Sequence, residues 1–426
     1  MTSTIDRPAA ASAAQSIDAP PRTRSRRLLD AAWLLPPLLI GLLVNALNLG
    51  GSPQRIDDEG TYTAQAWSIG NLGELTHYTY WYDHPPLGWI QIAAWVGLTD
   101  GWGRYDVAVI AAREAMLVAT AIAAVLLWYL VRRIGFARLT ASVSVAIFLL
   151  SPLAVQFHRQ VYLDNIATAW LLAALLLAMS RRAQLIGYIG AAAAFGVAVL
   201  TKETYLLALP LVAWLMWRGA DRTTRRYTLS VATAVFALMG LVYVAFAVVK
   251  GEVMPATGRV SLWDGLAFQL ASREGSGSLF DPNSLFSRTV GLWWQLDAVL
   301  IVTALVVAVG GLIVRRLRPW AVVLLALTAF MFRGGYLPVP YVIMLLPFAA
   351  IVVAGMGQIA LEQLRSRTAL RRIGGATLAS GLVVALVAAG PLWATQLRGF
   401  LLADLDRPLR DAESWMTQNA SGDARI

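Results

Sequence analysis

Residues 28–59 read LLDAAWLLPPLLIGLLVNALNLGGSPQRIDDE, and two features of this stretch decide the fold. Residues 28–49 are an apolar run of the ~20-residue length that crosses the hydrocarbon core of a bilayer. The run is too long for a signal-peptide core, and Leu49-Gly50-Gly51-Ser52-Pro53 behind it offers no Ala-x-Ala cleavage site. It therefore reads as an uncleaved first span. The second feature is Asp57-Asp58-Glu59, three adjacent carboxylates placed where the chain has just left the membrane. Like charges this close call for a cation, a cationic substrate group or proton chemistry.

Working outward, the same apolar pattern recurs along the chain. Of its 426 residues 58% are hydrophobic and only 14% charged, and the mean hydropathy is +0.61. This is the composition of an all-α polytopic membrane protein, not of a soluble domain. Eleven spans are expected, at about 28–49, 107–131, 138–157, 161–180, 184–201, 203–217, 227–249, 291–314, 319–332, 337–359 and 373–394. There is no cysteine, hence no disulfide framework and no thiolate ligand or nucleophile. The net charge of +10 does not point to nucleic acid, because the basic residues fall in short clusters between spans.

Those clusters orient the chain. With the N-terminus in the cytoplasm, the inside set is the basic tail, Arg132/133/138, Arg181/182, Arg218/222/225/226, Arg315/316/318 and Arg365/367/371/372. It holds well over half of the 35 Lys and Arg, while most carboxylates fall outside. The expected organisation is a disordered cytoplasmic tail (1–27), a membrane domain (28–394) and an extracytoplasmic tail (395–426). The long outer loops are 50–106 and 250–290, and the C-terminus lies outside. Within the first loop, Tyr62–Ile69 and Pro85–Leu98 are too short to span and read as amphipathic interfacial helices.

The outer face also collects the candidate chemistry. All three histidines (His77, His84, His158) lie there, with Arg159, Asp164, Lys202, Glu203 and Arg333 at span ends. A charge costs roughly 2.5–3.5 kcal/mol at mid-membrane on insertion scales, so such residues are functional suspects. Helical spacing puts Asp58 and Tyr62 on one face. Plainer readings stand beside these: Asp164-Asn165 as a helix cap, Lys202 and Glu203 as a mutual ion pair. His84-Pro85-Pro86 reads equally as a rigid turn. Tyr78, Tyr80, Trp81, Tyr82, Trp293 and Trp294 form an aromatic belt at the interface. The spacing of Asp58, Glu59, His84, His158 and Asp164 matches no standard metal site, so a divalent cation stays open with no ligand assigned. There is no phosphate loop, Walker motif, HExxH or G-x-S-x-G. A reaction at this face, out of reach of cytosolic nucleotides, needs an activated substrate borne by the membrane.

Four motifs carry a resemblance. Arg55-Ile-Asp-Asp-Glu-Gly-Thr-Tyr62, Tyr82-Asp-His-Pro-Pro-Leu-Gly88, His158-Arg-Gln-Val-Tyr-Leu-Asp-Asn165 and Thr201-Lys-Glu-Thr-Tyr205 occur in order on one membrane face. In these the chain resembles the GT-C glycosyltransferases that use a phospholipid carrier, glycosyltransferase family 39 and the lipid A aminoarabinose transferases among them. The resemblance implies a polyprenyl-phosphate-sugar donor and transfer to a hydroxyl of a glycan, lipid or protein, with inversion, at the extracytoplasmic face of the plasma membrane. It further implies Asp58, with Glu59, as the catalytic carboxylate pair, and Lys202, Arg159 and Arg333 in that order as cations for the donor phosphate. Asp164, Tyr62, His84 and Tyr82 are expected at the substrate. Loop 250–290, with Gly275-Ser-Gly-Ser278, is expected to order over the bound lipid. The tail after 394 reads as a small helix, and as the start of a soluble domain where relatives carry one. The competing reading is a secondary transporter or lipid flippase, and a second is a non-catalytic scaffold. Against the transporter stand the lack of an internal repeat and the reading of the fourth to eighth spans as Ala/Leu/Val without a mid-span carboxylate.

Overall fold

The computed structural model describes residues 24–75, 82–258 and 260–419. Among the described residues the regular elements are all helices, with no β-sheet. Helix α1 (Arg24–Ala46) leads into an outer segment of α2 (Asp57–Leu72), α3 (Leu87–Leu98) and the single turn α4 (Gly101–Arg104). The bundle continues with α5 (Ala108–Ile134), α6 (Arg138–Leu150), α7 (Pro152–His158), α8 (Leu163–Ala178) and α9 (Gln184–Thr201). A 3-10 turn at Glu203–Ala208 links α9 to α10 (Leu209–Gly219), and α11 (Arg225–Lys250) follows. The second outer loop holds α12 (Leu262–Ala267). After it come α13 (Leu285–Gly311), α14 (Arg318–Phe330), α15 (Val342–Leu364), α16 (Ala369–Leu402) and α17 (Arg407–Asn419).

Each expected span falls on a helix, but not every helix is a full span. Among the described residues seven helices can cross a membrane by length and composition (α1, α5, α9, α11, α13, α15 and α16), or eight if α6 and α7 count as one. The count of eleven is not reached. The segment expected at 203–217 opens as a 3-10 turn, and α8 and α14 are shorter apolar helices. The pair α6/α7 bends by 62° at Ser151-Pro152, where proline removes a helix hydrogen bond.

Helix α15 is the centre of the bundle, with 89% of its apolar window buried. Its close neighbours are admitted by a small residue: a Cβ on Gly355 would sit 2.6 Å from Leu317 and 3.0 Å from the Phe136 ring. Beside it α13 breaks at Asp297, whose φ of −157° and ψ of 68° are not helical. The Asp297 carboxylate accepts the Leu300 N–H at 2.9 Å and the Ser151 hydroxyl at 2.6 Å. The two helix breaks are thus tied together, each supplying what the other lacks in a medium without water. This corrects the sequence reading, which had no mid-span carboxylate in the eighth span.

Helix α17 is amphipathic, with Leu409, Ala412, Trp415 and Met416 on one side and charges on the other. Arg55 ties it to the first outer loop, donating to Asp406 at 2.6 Å and to Glu413 at 2.7 Å.

Candidate active site

The three leading carboxylates form the first turn of α2, where the free N–H groups and helix dipole favour negative charge. Adjacent helical residues point about 100° apart, and their fates differ. Asp57 and Asp58 are exposed, whereas Glu59 is fully buried. Glu59 receives both arms of the Arg113 guanidinium, Nε at 2.8 Å and Nη2 at 2.6 Å, and the Val161 N–H at 2.8 Å. Arg113, itself 1% exposed, adds a bond to the Leu49 carbonyl at 2.7 Å. This bidentate pair locks α2 to α5 and to the turn before α8. It answers the charge that the sequence places inside the second span.

The other motifs meet at His84. A Cβ on Gly88 would lie 2.7 Å from Leu163 and 3.2 Å from Thr201, so only glycine lets α3 abut both α8 and the end of α9. That contact brings three motifs together. His84 Nδ1 lies 3.0 Å from the Glu203 carboxylate, and its Nε2 lies 2.8 Å from Lys202 Nζ and 3.2 Å from the Tyr62 hydroxyl. Lys202 caps the C-terminal end of α9 and is 4% exposed, a position where the helix dipole favours a cation. Asp164, in the first turn of α8, interacts electrostatically with Lys202, Glu203 and His84.

Tyr62 stands in the middle of the cluster. Burial first, and then the carboxylates of Asp58, Asp164, Asp83 and Glu203, push its hydroxyl well above the usual phenol range. It stays a neutral donor. Glu203 lies in the link after α9, outside the crossing helices. Burial raises its carboxyl, but His84 and Lys202 beside it and the His84 hydrogen bond outweigh burial and hold it at about 2.

The remaining predicted residues lie elsewhere. Arg159 is buried and spends its guanidinium on carbonyls, Leu47 and Asn48 at 2.6 Å and Phe400 at 3.3 Å. Arg333 is exposed in the turn after α14, bonded to the Phe330 and Tyr336 carbonyls. His158 is buried against Phe148, ring centroids 4.6 Å apart. His77, Tyr78, Tyr80 and Trp81 lie outside the described residues. Among the described residues no group of three or more His, Asp or Glu side chains is gathered for a metal ion.

Tyr82 faces the second outer loop, where its hydroxyl donates to Glu252 at 2.8 Å. Gly265 of α12 packs on the Tyr82 backbone, so close that a Cβ would stand 2.5 Å from its carbonyl oxygen. Gln269 bonds to Asp83. The far side of this loop is pinned by Ser276, which receives the Leu337 N–H at 2.8 Å, and by Arg273 over the Tyr336 ring at 3.5 Å. The described part of loop 250–290 thus packs on Tyr82 and Asp83, next in sequence to His84. Sequence reasoning missed Glu252 and Gln269 as partners, and their only signal was a position in a long outer loop.

Comparison with known proteins agrees with this architecture. The family model described as dolichyl-phosphate-mannose-protein mannosyltransferase matches residues 83–246, which contain His84, Asp164 and Lys202. A sequence comparison with curated proteins gives no match. ArnT from Cupriavidus metallidurans bound to undecaprenyl phosphate superposes with a TM-score of 0.62 at 17% identity, over 93% of this chain and 82% of that one. Its apo state gives 0.59 over the same shares. The Archaeoglobus fulgidus oligosaccharyltransferase in complex with Zn and sulfate gives 0.58 at 15% identity, over 90% of this chain and 55% of that one. The motif-based resemblance is borne out: the chain has the GT-C glycosyltransferase fold.

Proposed function

We propose that this chain is a membrane glycosyltransferase that moves a sugar from a polyprenyl-phosphate donor to an acceptor hydroxyl at the extracytoplasmic face. One observation carries the reading. An exposed carboxylate, Asp58, acts electrostatically on Tyr62, which joins a buried network where Lys202 contacts His84 and acts on Asp164. The similar ArnT structure is bound to undecaprenyl phosphate, the kind of lipid phosphate that such a donor would release.

In the proposed step the acceptor oxygen attacks the anomeric carbon. Asp58 takes the hydroxyl proton, a role worth roughly 10²–10⁴-fold. The bond between that carbon and the phosphate oxygen breaks, and the electron pair leaves with the phosphate. Lys202 stabilises the developing charge where water is sparse. A single displacement of this kind inverts the anomeric centre. Glu59 acts through Arg113 to hold Asp58 in place. Asp164 and Tyr62 orient the sugar, and the loop carrying Gly265 and Gln269 keeps water from the donor. Arg333, exposed in the turn after α14 and bonded to the Phe330 and Tyr336 carbonyls, is given no part in this step.

The test is transfer of labelled sugar in membranes containing wild type, Asp58→Asn or Lys202→Ala, across a panel of polyprenyl-phosphate sugars, with release of polyprenyl phosphate followed alongside. Loss of both signals in Asp58→Asn at normal protein level supports the reading. Full turnover in both variants removes the residue assignments, and no turnover of any donor by the wild type moves the transporter reading ahead.

A further inference from the structure

The opposite end of α5 carries a second concavity. From Arg113 at the active site the helix runs on to Ile134, and at about 1.5 Å per residue this is the depth of a membrane. There a cavity of about 580 Å3 opens between the start of α1, the end of α5, the start of α6 and α8. Its wall carries Arg26, Arg132, Arg133 and Arg138 against one carboxylate, Asp30. Asp30 accepts Arg138 Nε at 2.7 Å, which fixes that guanidinium at the rim. Arg133 is held by the Met179 carbonyl at 3.1 Å, and Arg132 donates to the Phe136 carbonyl and lies over the Trp128 ring at 5.9 Å. Each guanidinium has five N–H groups, and Arg133 and Arg138 spend few of them on these anchors, so their forks are oriented with donors left for a ligand. Trp128 and Leu176 make the cavity's inner wall apolar.

From this geometry we infer a binding site for a phosphate group, with the phosphodiester of an anionic phospholipid as its ligand. Arginine forks match phosphate oxygens in pairs. The site lies at the ends of crossing helices, where headgroups are found, and basic pockets between membrane helices are a recognised form of headgroup site. The apolar wall receives the glycerol backbone and the first methylenes of the acyl chains. A soluble phosphate would use the same forks without that wall. The inference is independent of the sugar-transfer reading, because it uses none of its residues.

The experiment is native mass spectrometry of the full chain released from detergent after loading with phosphatidylglycerol or phosphatidylcholine. The variants are Arg26→Gln/Arg133→Gln and Leu176→Trp, which fills the cavity and keeps every charge. Phosphatidylglycerol retention is expected to fall about tenfold in both, with phosphatidylcholine unchanged. If millimolar inorganic phosphate displaces the phosphatidylglycerol, the natural ligand is a soluble phosphate, and if it does not, the ligand is the lipid. Either result upholds a phosphate site. Equal retention by wild type and both variants overturns it. So does a loss confined to the arginine variant, which would mean diffuse surface charge without a cavity.

Discussion

Lys202 Nζ lies 2.8 Å from Nε2 of His84. The same imidazole turns Nδ1 to the Glu203 carboxylate at 3.0 Å, so one ring bridges the lysine and the carboxylate. Lys202→Ala should lower kcat by about 10²–10³, the scale of one lost stabilising donor at a developing anion. His84→Asn, which keeps an acceptor for the lysine, should retain more activity than His84→Leu. Steady-state transfer rates decide this, and normal turnover in His84→Leu would remove the histidine from the mechanism.

Asp58 and Glu59 are neighbours with opposite expectations. Asp58→Asn should leave stability within about 0.5 kcal/mol, as surface changes do, while abolishing transfer. Glu59→Gln strands the Arg113 charge in the interior and should cost about 3–5 kcal/mol. The comparison needs folded yield and unfolding temperature in detergent for both variants. An unchanged unfolding temperature in Glu59→Gln would sink the structural role given to that pair.

Glu203 supplies a pH dependence. Its carboxyl is held at about 2 in the fold, below the usual carboxylate range near ~4.3. The folded state thus favours the ionised form. The stability this provides is complete above about pH 4.5 and is lost as pH falls through about 2. Glu203→Gln should therefore lower the unfolding temperature by a constant amount near neutral pH, and the gap to wild type should close between about pH 4 and 2. Thermal unfolding across that range checks it, and a gap that widens on acidification would mean the carboxylate is not held this way.

Gly265 fixes the cover to the site. Its Cβ position meets the Tyr82 carbonyl oxygen, a backbone atom that cannot swing aside. Gly265→Val should push α12 off Tyr82, break the Tyr82–Glu252 bond and cut transfer by about tenfold or more through loss of closure. Protease cleavage within 250–290 should rise in parallel. Wild-type transfer with an intact loop would show that the contact is dispensable.

Much of this was legible in the sequence, for identifiable reasons. Hydropathy found the helices because apolar runs must be helical in lipid, and the segment 184–201 matches α9 to the residue. The motifs His84, Asp164 and Lys202 converge with Asp58 around Tyr62 because each is a charge too costly to leave near a membrane without a partner. Other points depended on geometry that no local pattern carries. Arg159 serves the carbonyls that α1 leaves unsatisfied where Asn48 turns left-handed, with a φ of 57°. Whether Asp58 or Glu59 would be buried was set by where α5 delivers Arg113. Asp297 escaped notice because averaging over a long window hides one polar residue, and hydropathy does not record the bend at Ser151-Pro152 or the 3-10 turn at Glu203–Ala208.

The bonds from Arg55 to Asp406 and Glu413 give the C-terminal helix a grip on the opening of the loop that carries Asp58. Arg55 stands three positions ahead of Asp58, with Ile56 as the only residue before the α2 helix begins. Any force that tilts α17 is therefore transmitted to the proposed base as leverage through two ionic links, without passing through the bundle. The tail acts as a handle on the loop, and whatever grasps it sets the tension under which Asp58 meets its substrate.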